Sequence, residues 1–196
     1  MESQVSNVCR NCYLSLRQIS QIRQYLTEDA TATLVNALVT SKLDCNNSLL
    51  IGIPTTLKCK LQRIQNNAAR LITKTNKSED ITPVLKSLHW LPVSFRIEFK
   101  VLVLCYNSLN GCSPAYMCSM LNYRDPPTDR CTLRNDELDL LREPSARLKS
   151  HGDRAFSIYA PKLWNTLPLH VRKASTPDSF KKMLKTLLFK RSFDHC

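Results

Sequence analysis

The sequence predicts a mainly α-helical protein: a helical bundle over residues 1–76, then a second helical unit over residues 77–196 with a small β or irregular element. Apolar residues recur at spacings of three and four along most of the chain, which is the period of an amphipathic helix. Helix start and stop signals flank these segments. The 196 residues contain only 3 glycines, which disfavours glycine-rich phosphate loops and strand-dense folds with many tight turns. An apolar content of 43% is enough for a core.

The first 50 residues predict two helices. Apolar side chains of the first helix recur at three to four residues: Tyr13, Leu16, Ile19, Ile22 and Leu26. Thr27 stands directly before Glu28 and Asp29, which is the pattern of an N-cap with acids in the first turn. The second helix then extends to about Leu43. We expect three of its apolar side chains to face inward: Leu34, Val35 and Leu38.

The third helix has the most regular pattern. It follows the chain break at Gly52 and Pro54, and the polar stretch Asn76–Asp80 after it predicts a linker. Its apolar line has spacings of four, three, four and three: Leu57, Leu61, Ile64, Ala68 and Leu71. The basic residues lie mainly off that line: Lys58, Lys60, Arg63, Arg70 and Lys74.

The stretch Ser87–Lys100, SLHWLPVSFRIEFK, predicts the entrance to a long helix. Thr82–Pro83 before it is typical of an N-cap followed by proline at the first helical position. Pro92 starts the long helix, with Trp90 packed at its entrance, and Asn110–Gly111 ends it. Its inward line is Phe95, Phe99, Leu102, Tyr106 and Leu109. Aromatic residues next to Arg96 and Lys100 also allow a weaker interpretation as a binding platform. His89 has no catalytic partner in the sequence.

The C-terminal half predicts shorter elements. Ser113–Pro114 starts a short helix, and residues 122–136 form a loop. Glu137–Lys149 is a hairpin or irregular structure, and Ala155–Trp164 is a helix that Pro161 bends or divides. Thr176–Pro177 opens the last helix. Its inward residues are Phe180, Leu184, Leu187 and Leu188, and its outer face carries Lys181, Lys182, Lys185 and Lys190.

The basic charge is concentrated in two blocks. The net charge is +12, from 28 Lys and Arg against 16 Asp and Glu. Residues 51–110 and 151–196 each contain nine basic and three acidic residues, and the rest of the chain is balanced. Such an excess indicates a polyanionic partner, nucleic acid before an anionic membrane; solvated helix faces are the simpler alternative. The candidate phosphate contacts are Lys58, Lys60, Arg63, Arg70, Lys74, Lys77, Lys181, Lys182, Lys185, Lys190 and Arg191.

The cysteines and histidines predict no catalytic or metal centre. Cys9 and Cys12 form a C-x-x-C pair, which is either half of a zinc site, a redox pair, or two thiols on one helix with one inward. No second ligand pair stands at a suitable spacing. The nine cysteines have irregular spacing, and without a signal peptide we expect reduced, mostly buried thiols in an intracellular protein.

Other catalytic patterns are absent from the sequence. Neither G-x-S-x-G nor the P-loop pattern occurs. Asp153–Arg154 could be an acid–base pair, but a local salt bridge or a cap for the helix that begins near Ala155 is the favoured interpretation. We expect no enzyme activity, no cofactor and no small-molecule substrate. No run is long and apolar enough to suggest a membrane span.

Six stretches together resemble one known family. They are CRNCYLSLRQISQIRQYL (Cys9–Leu26), LVNALVTSKLDCNNSLLIGIP (Leu34–Pro54), LQRIQNNAARLI (Leu61–Ile72), ITPVLKSLHWLPVSFRIEFKVLVLCYNSLNG (Ile81–Gly111), GDRAFSIYAPKLWNTLP (Gly152–Pro168) and FKKMLKTLLF (Phe180–Phe189). In order and spacing they are similar to the C-terminal part of the reverse transcriptase polyprotein of LINE-type, non-LTR retrotransposons of the chicken-repeat and jockey-like kind. LHWLPV and GDRAFS…APKLWN…LP are specific in combination.

The resemblance implies a thumb-like bundle over residues 1–76 and the family's C-terminal region over residues 77–196. The palm aspartates that hold catalytic magnesium, usually in an F/Y-A-D-D motif, have no counterpart in this sequence, nor has the endonuclease. Phosphoryl transfer needs those metals. One departure is visible, because the family usually has L-D-Y-C-N where this chain has Leu43, Asp44, Cys45, Asn46 and Asn47. The aromatic group is missing, through drift in a decaying copy or a lineage difference.

The sequence and the resemblance together predict a truncated, non-catalytic fragment that binds RNA or DNA backbones without sequence specificity. The start at a methionine just before the thumb-like helices is consistent with a truncated element copy. The alternative is a protein-interaction module, domesticated or a functionless remnant, that self-associates through exposed apolar helix faces. We expect an intracellular protein, cytoplasmic or nuclear, with no membrane partner.

Overall fold

The computed structural model describes residues 1–124, 139–145 and 152–193. Over this part the protein is mainly α-helical, which confirms the predicted fold class. The described chain divides into two compact units, one formed by residues 1–97 with 189–193 and the other by the described residues between 98 and 188. The two division points fall inside helices, so two helices contribute to both units.

The first unit contains five complete α-helices and the ends of two more, described in chain order. They are α1 (Glu2–Ile22), α2 (Glu28–Val35), α3 (Ser41–Asp44), α4 (Thr55–Thr73), α5 (Thr82–Ser87), and parts of α6 (Val93–Leu109) and α10 (Pro177–Phe193). Short 3₁₀ turns lie at Arg23–Tyr25 and Asn47–Leu50. A wide, π-type segment, Asn36–Thr40, joins α2 to α3 without a break. Helix α4 packs against α1 and α2 and forms the centre of this unit.

The second unit contains the remainder of α6 and α10 and three shorter helices. These are α7 (Ala115–Cys118), α8 (Phe156–Asn165) and α9 (Leu169–Arg172), with a 3₁₀ turn at Gly152–Arg154. An isolated antiparallel bridge joins Tyr123 and Leu141. Leu141 lies in the segment predicted to be a hairpin or irregular structure, and the described residues contain no strand. Most of the predicted loop over residues 122–136 (residues 125–136) lies outside the described residues, as do residues 137–138 and 146–149 of the following segment.

Three helix starts show how side-chain oxygens satisfy the first free N–H groups. Thr27 Oγ1 accepts from Ala30 N at 3.2 Å, as predicted, and Thr176 Oγ1 accepts from Ser179 N at 3.2 Å. The prediction that Thr82 caps α5 is wrong. Asp80 Oδ1 accepts from both the N–H of Thr82 (3.1 Å) and its hydroxyl (3.0 Å), because a carboxylate two residues earlier is the stronger acceptor.

The buried line of α1 differs from the predicted one. Leu16 and Ile19 are buried, but Tyr13 and Ile22 are 45% and 46% exposed. The buried residues of this helix are Val5, Cys12, Ser15, Leu16 and Ile19. A thiol and a hydroxyl occupy two inward positions, so a line drawn through the large apolar residues alone is rotated away from the core.

The π-type segment changes which residues of the second helical stretch face inward. Val35 is buried as predicted, but Leu38 is exposed and Leu34 is half-buried. The buried residues repeat every four positions: Thr31, Val35, Val39 and Leu43. A wide turn keeps residues four apart on one side. The Cys12 thiol lies 3.9 Å from Val39 O within this segment.

Helix α4 has the predicted core line, and α6 has it only in part. In α4, four of the five predicted residues are buried and Leu71 is half-buried. In α6, Leu102 and Tyr106 are buried, whereas Phe95, Phe99 and Leu109 are half-buried. The missed core residues of α6 are Val93, Ile97, Val101 and Cys105. Because α6 is apolar on nearly all sides, a single stripe could not select its buried face.

The predicted end of α6 at Asn110–Gly111 and the predicted helices α8 and α10 are confirmed. Gly111 has a φ of +68°, and Cys112 N donates to Asn107 O at 2.8 Å, which is the hydrogen bond of a Schellman motif. Pro161 is buried inside α8 and does not divide it. The predicted inward residues of α10 are buried except Leu187, which is half-buried. Among the described helices, none is long and apolar enough to cross a bilayer.

Candidate nucleic-acid interface

Helix α4 combines a buried apolar side with an acid-free outer side. Its residues Thr55–Thr73 include no aspartate or glutamate. Lys60 and Arg63 are exposed, and at about 100° per residue Arg63 lies opposite the buried line, with Lys60 on its flank. Lys58 is half-buried near the edge of that line. The outer side of α4 therefore presents positive charge without a neutralising acid on the same helix.

Two further lysines continue this positive surface beyond the helix. Lys74 is exposed and caps α4 in the left-handed conformation, with φ +58°. Lys77 is exposed in the following turn. We call Lys60, Arg63, Lys74 and Lys77 the α4 basic face. In the part of the chain that the structure describes, no ion pair joins any of these four to a carboxylate.

Arg70, another predicted phosphate contact, holds the turn after α4. Its Nε donates to Asn76 O at 3.2 Å and its Nη2 to Glu79 O at 3.0 Å. The Asn76 side chain in turn donates to Glu79 Oε1 at 2.9 Å. Two of the donor nitrogens of Arg70 are therefore used within the chain, and the segment that carries Lys77 is an ordered turn rather than an open linker.

Arg23 fixes the end of α1 to the end of α4, and the sequence analysis missed it. Its guanidinium donates to Leu71 O (2.8 Å), Ile72 O (2.7 Å) and Leu26 O (2.8 Å). Arg23 is only 9% exposed. The last carbonyls of a helix lack partners within it, and a cation is favourable there. The sequence did contain a sign of this role: Arg23 follows the buried Ile19 by four residues, so it continues the buried line of α1.

Two glutamines of α4 fix the entrance of α6. Gln65 Nε2 donates to Leu91 O at 2.8 Å, and Gln62 Oε1 accepts from Val93 N at 2.8 Å. Val93 N is the first free N–H of α6, which confirms the predicted helix start at Pro92. The residues of the LPV sequence are thus held to α4 by polar side chains that the apolar pattern did not identify.

The structure assigns structural roles to SLHWLPVSFRIEFK. Trp90 packs half-buried against a cluster formed by Ala69, Leu85 and Phe193. Arg96 forms an ion pair with Asp44, with its Nε 2.8 Å from Oδ1. Asp44 belongs to the stretch in which the chain departs from the family pattern. Since Arg96 is paired, the binding-platform interpretation retains only Lys100 as an exposed cation.

The basic residues of α10 do not form one row. Lys181, Lys182 and Lys185 are exposed in the second unit, and Lys181 pairs with Asp178 at 3.2 Å. Lys190 is exposed and Arg191 half-buried in the first unit. Five residues of helix turn Lys190 by about 140° from Lys185. Lys182 and Lys185 are therefore the exposed lysines of α10 in the second unit that form no ion pair in the described chain.

The C-x-x-C pair consists of one inward and one half-buried thiol on α1. Burial raises the pKa of both Cys9 and Cys12, partly offset by Lys60 near Cys9 and Lys42 near Cys12. A raised pKa disfavours the thiolate that redox and metal chemistry need. Within the described ranges, no group of three or more His, Cys, Asp or Glu side chains is placed to hold a metal ion.

The expectation of mostly buried cysteines is wrong for the described chain. Cys12 and Cys105 are buried, whereas Cys45, Cys59 and Cys112 are exposed. Burial also raises the pKa of the Cys105 thiol.

Asp153, considered above as half of an acid–base pair, forms an exposed ion pair with Lys162 of α8 at 3.6 Å. It therefore supports that helix.

No family model matches the chain, and neither the curated proteins nor the solved structures include a match to it.

Proposed function

We propose that this protein is a non-catalytic fragment, similar to the thumb and following region of a LINE-type reverse transcriptase, that binds RNA or DNA backbones without sequence specificity. The observation that carries the proposal is the acid-free outer side of α4. The four cations of the α4 basic face are exposed, and none of them forms an ion pair with a carboxylate in the described chain. A partner with closely spaced negative charges suits such a surface.

The physical basis is the release of counterions from phosphates. Each lysine or arginine that neutralises a phosphate displaces a condensed cation, which provides affinity but reads no base edge. The helix supplies a rigid mount, because its opposite side is buried by Leu61, Ile64 and Ala68. Because the backbone that carries these cations is already ordered, binding does not have to order it.

The resemblance supports the non-catalytic part of the proposal. The sequence contains no counterpart of the palm aspartates, and catalysis of polymerisation depends on the metals that they hold. We also propose an intracellular protein, in the cytoplasm or nucleus, that binds nucleic acid and does not synthesise it.

The test is a filter-binding titration with single-stranded and duplex oligonucleotides over a range of salt. We expect the logarithm of the association constant to fall linearly with the logarithm of salt concentration, by roughly 0.7–0.9 per phosphate contact. Four contacts from the α4 basic face then give a slope of about −3. Binding that is insensitive to salt, or absent at low salt, would sink the proposal.

A second candidate function, self-association, is favoured by a different observation. Three large apolar side chains of α1 are exposed: Tyr13 (45%), Leu14 (54%) and Ile22 (46%). Association through these side chains would be strengthened by salt or unaffected by it, unlike phosphate binding. Sedimentation velocity at increasing protein concentration tests this candidate, and a monomer throughout the range would exclude it.

A further inference from the structure

Tyr25 is the most exposed large apolar side chain among the described residues. It is 80% exposed, although tyrosine usually buries much of its ring. Folding does not need this aromatic side chain in its position, since it contributes little to the core. An exposed aromatic ring indicates a candidate ligand contact where positive charge lies nearby and the backbone that carries the ring is fixed.

The backbone at Tyr25 is held in place. Tyr25 ends the 3₁₀ turn Arg23–Tyr25, in which Leu26 N donates to Arg23 O at 3.3 Å. The Arg23 side chain also holds Leu26 O at 2.8 Å. Helix α2 begins directly afterwards, with Thr27 as its cap. The ring is therefore carried on a short segment fixed at both ends.

The same guanidinium places this segment at the C-terminal end of α4. While it holds Leu26 O, it donates to Leu71 O and Ile72 O. Lys74, exposed, follows Ile72 by two residues. An exposed aromatic residue and a cation of the α4 basic face thus lie at one end of the helix.

We propose that Tyr25 stacks on an unpaired base while the α4 basic face holds the phosphates, so that the ligand is single-stranded RNA or DNA. This inference rests on the proposed function and adds the ligand class to it. Base–aromatic stacking tolerates any sequence, since every base has a π-face. In a duplex these faces are already stacked on each other, so an intact duplex gains nothing from Tyr25.

The test compares an oligothymidylate with an abasic oligonucleotide of the same length and charge. We expect the parent protein to bind the oligothymidylate more tightly, and Tyr25→Ala to weaken that binding by roughly 5- to 150-fold. Binding of the abasic strand should be unchanged. Tyr25→Phe is the matched control, because it keeps the ring and should retain the parent affinity. Circular dichroism melting checks that each variant is folded.

Three results overturn the inference, and they separate it from the proposed function. If Tyr25→Ala binds oligothymidylate like the parent, or if the parent shows no preference for it over the abasic strand, base stacking is excluded while phosphate binding stands. If the parent binds neither strand at low salt, both proposals fail. Lys74→Gln, which should weaken binding to both strands alike, confirms that the abasic strand reports phosphate contacts.

Discussion

At the scale of single residues, His89 is explained by backbone geometry rather than by its ring. It has a φ of +53° at the end of α5. Trp90 N donates to Leu85 O at 2.9 Å and His89 N to Lys86 O at 3.1 Å, which together form a Schellman motif with His89 in its left-handed position. Glycine is preferred there because it has no Cβ.

The substitution His89→Gly tests this role. Relief of the left-handed strain should offset the lost ring contact with Phe189, whose centroid lies 5.7 Å away. We expect an unchanged free energy of unfolding or a gain of up to about 1 kcal/mol in urea denaturation. The β-branched control His89→Val should be less stable than the parent. A clear loss of stability in His89→Gly would show that the imidazole itself matters.

Asp80 makes a pH-dependent contribution at the start of α5. Hydrogen bonds from the N–H and the hydroxyl of Thr82 lower the pKa of this carboxyl below its usual value. Since the folded pKa is the lower one, the contribution to stability is fully present above the pKa of the unfolded carboxyl and disappears as the pH falls through the folded pKa.

Comparison with Asp80→Asn isolates that contribution, because asparagine keeps a capping oxygen without the charge. The parent should have the higher melting temperature at pH 6, and the difference between the two proteins should shrink as the pH falls through the lowered pKa of Asp80. A difference that stays constant between these pH values would contradict the assignment.

At the scale of the elements, Arg23 is the residue that joins α1, α2 and α4. Arg23→Met keeps most of the volume but leaves three carbonyls without their donor. We expect a loss of roughly 1.5–3 kcal/mol of unfolding free energy, as for hydrogen bonds to charged groups. Arg23→Lys should recover part of it, because a single ammonium cannot reproduce the guanidinium fork. Equal stability of the parent and Arg23→Met, measured by urea denaturation, would contradict this role.

The two tryptophans should differ in their contribution to stability. Trp164 is 2% exposed, donates from Nε1 to Asp139 O at 2.9 Å, and stacks with Phe180. Trp90 is only half-buried in its cluster. We expect Trp164→Ala to cost roughly 3–5 kcal/mol and Trp90→Ala less than that. The reverse order in chemical denaturation would show that burial does not determine the cost.

The element pattern shows what the sequence could predict. The third helix was predicted correctly, because its apolar spacing is regular and its outer side is uniformly polar. The buried line of α1 was predicted wrongly, because the polar side chains of Cys12, Ser15 and Arg23 face inward and form hydrogen bonds there. The π-type segment left no signal in the apolar pattern, so the exposure of Leu38 could not be anticipated.

At the scale of the whole molecule, the charge blocks were visible in the sequence but the uses of single cations were not. Arg70 binds carbonyls six and nine residues away. Arg96 pairs with Asp44, 52 residues earlier. Such partners depend on the fold, whereas the lack of acids on α4 is a property of the sequence itself. The α4 basic face is therefore the part of the proposed site whose charge is visible in the sequence and whose side chains are exposed in the structure.

The central claim is that the position of the charge on α4, and not net charge alone, determines nucleic-acid binding. It is tested by two double variants that each remove two positive charges. Lys60→Gln with Arg63→Gln removes half of the α4 basic face. The control, Arg10→Gln with Arg17→Gln, removes two exposed arginines of α1 in the same unit.

The measurement is the slope of log affinity against log salt for both variants and the parent. We predict that the α4 variant loses about 1.4–1.8 units of slope and the α1 variant keeps the slope of the parent. Equal losses in the two variants, or no loss in either, would contradict the claim.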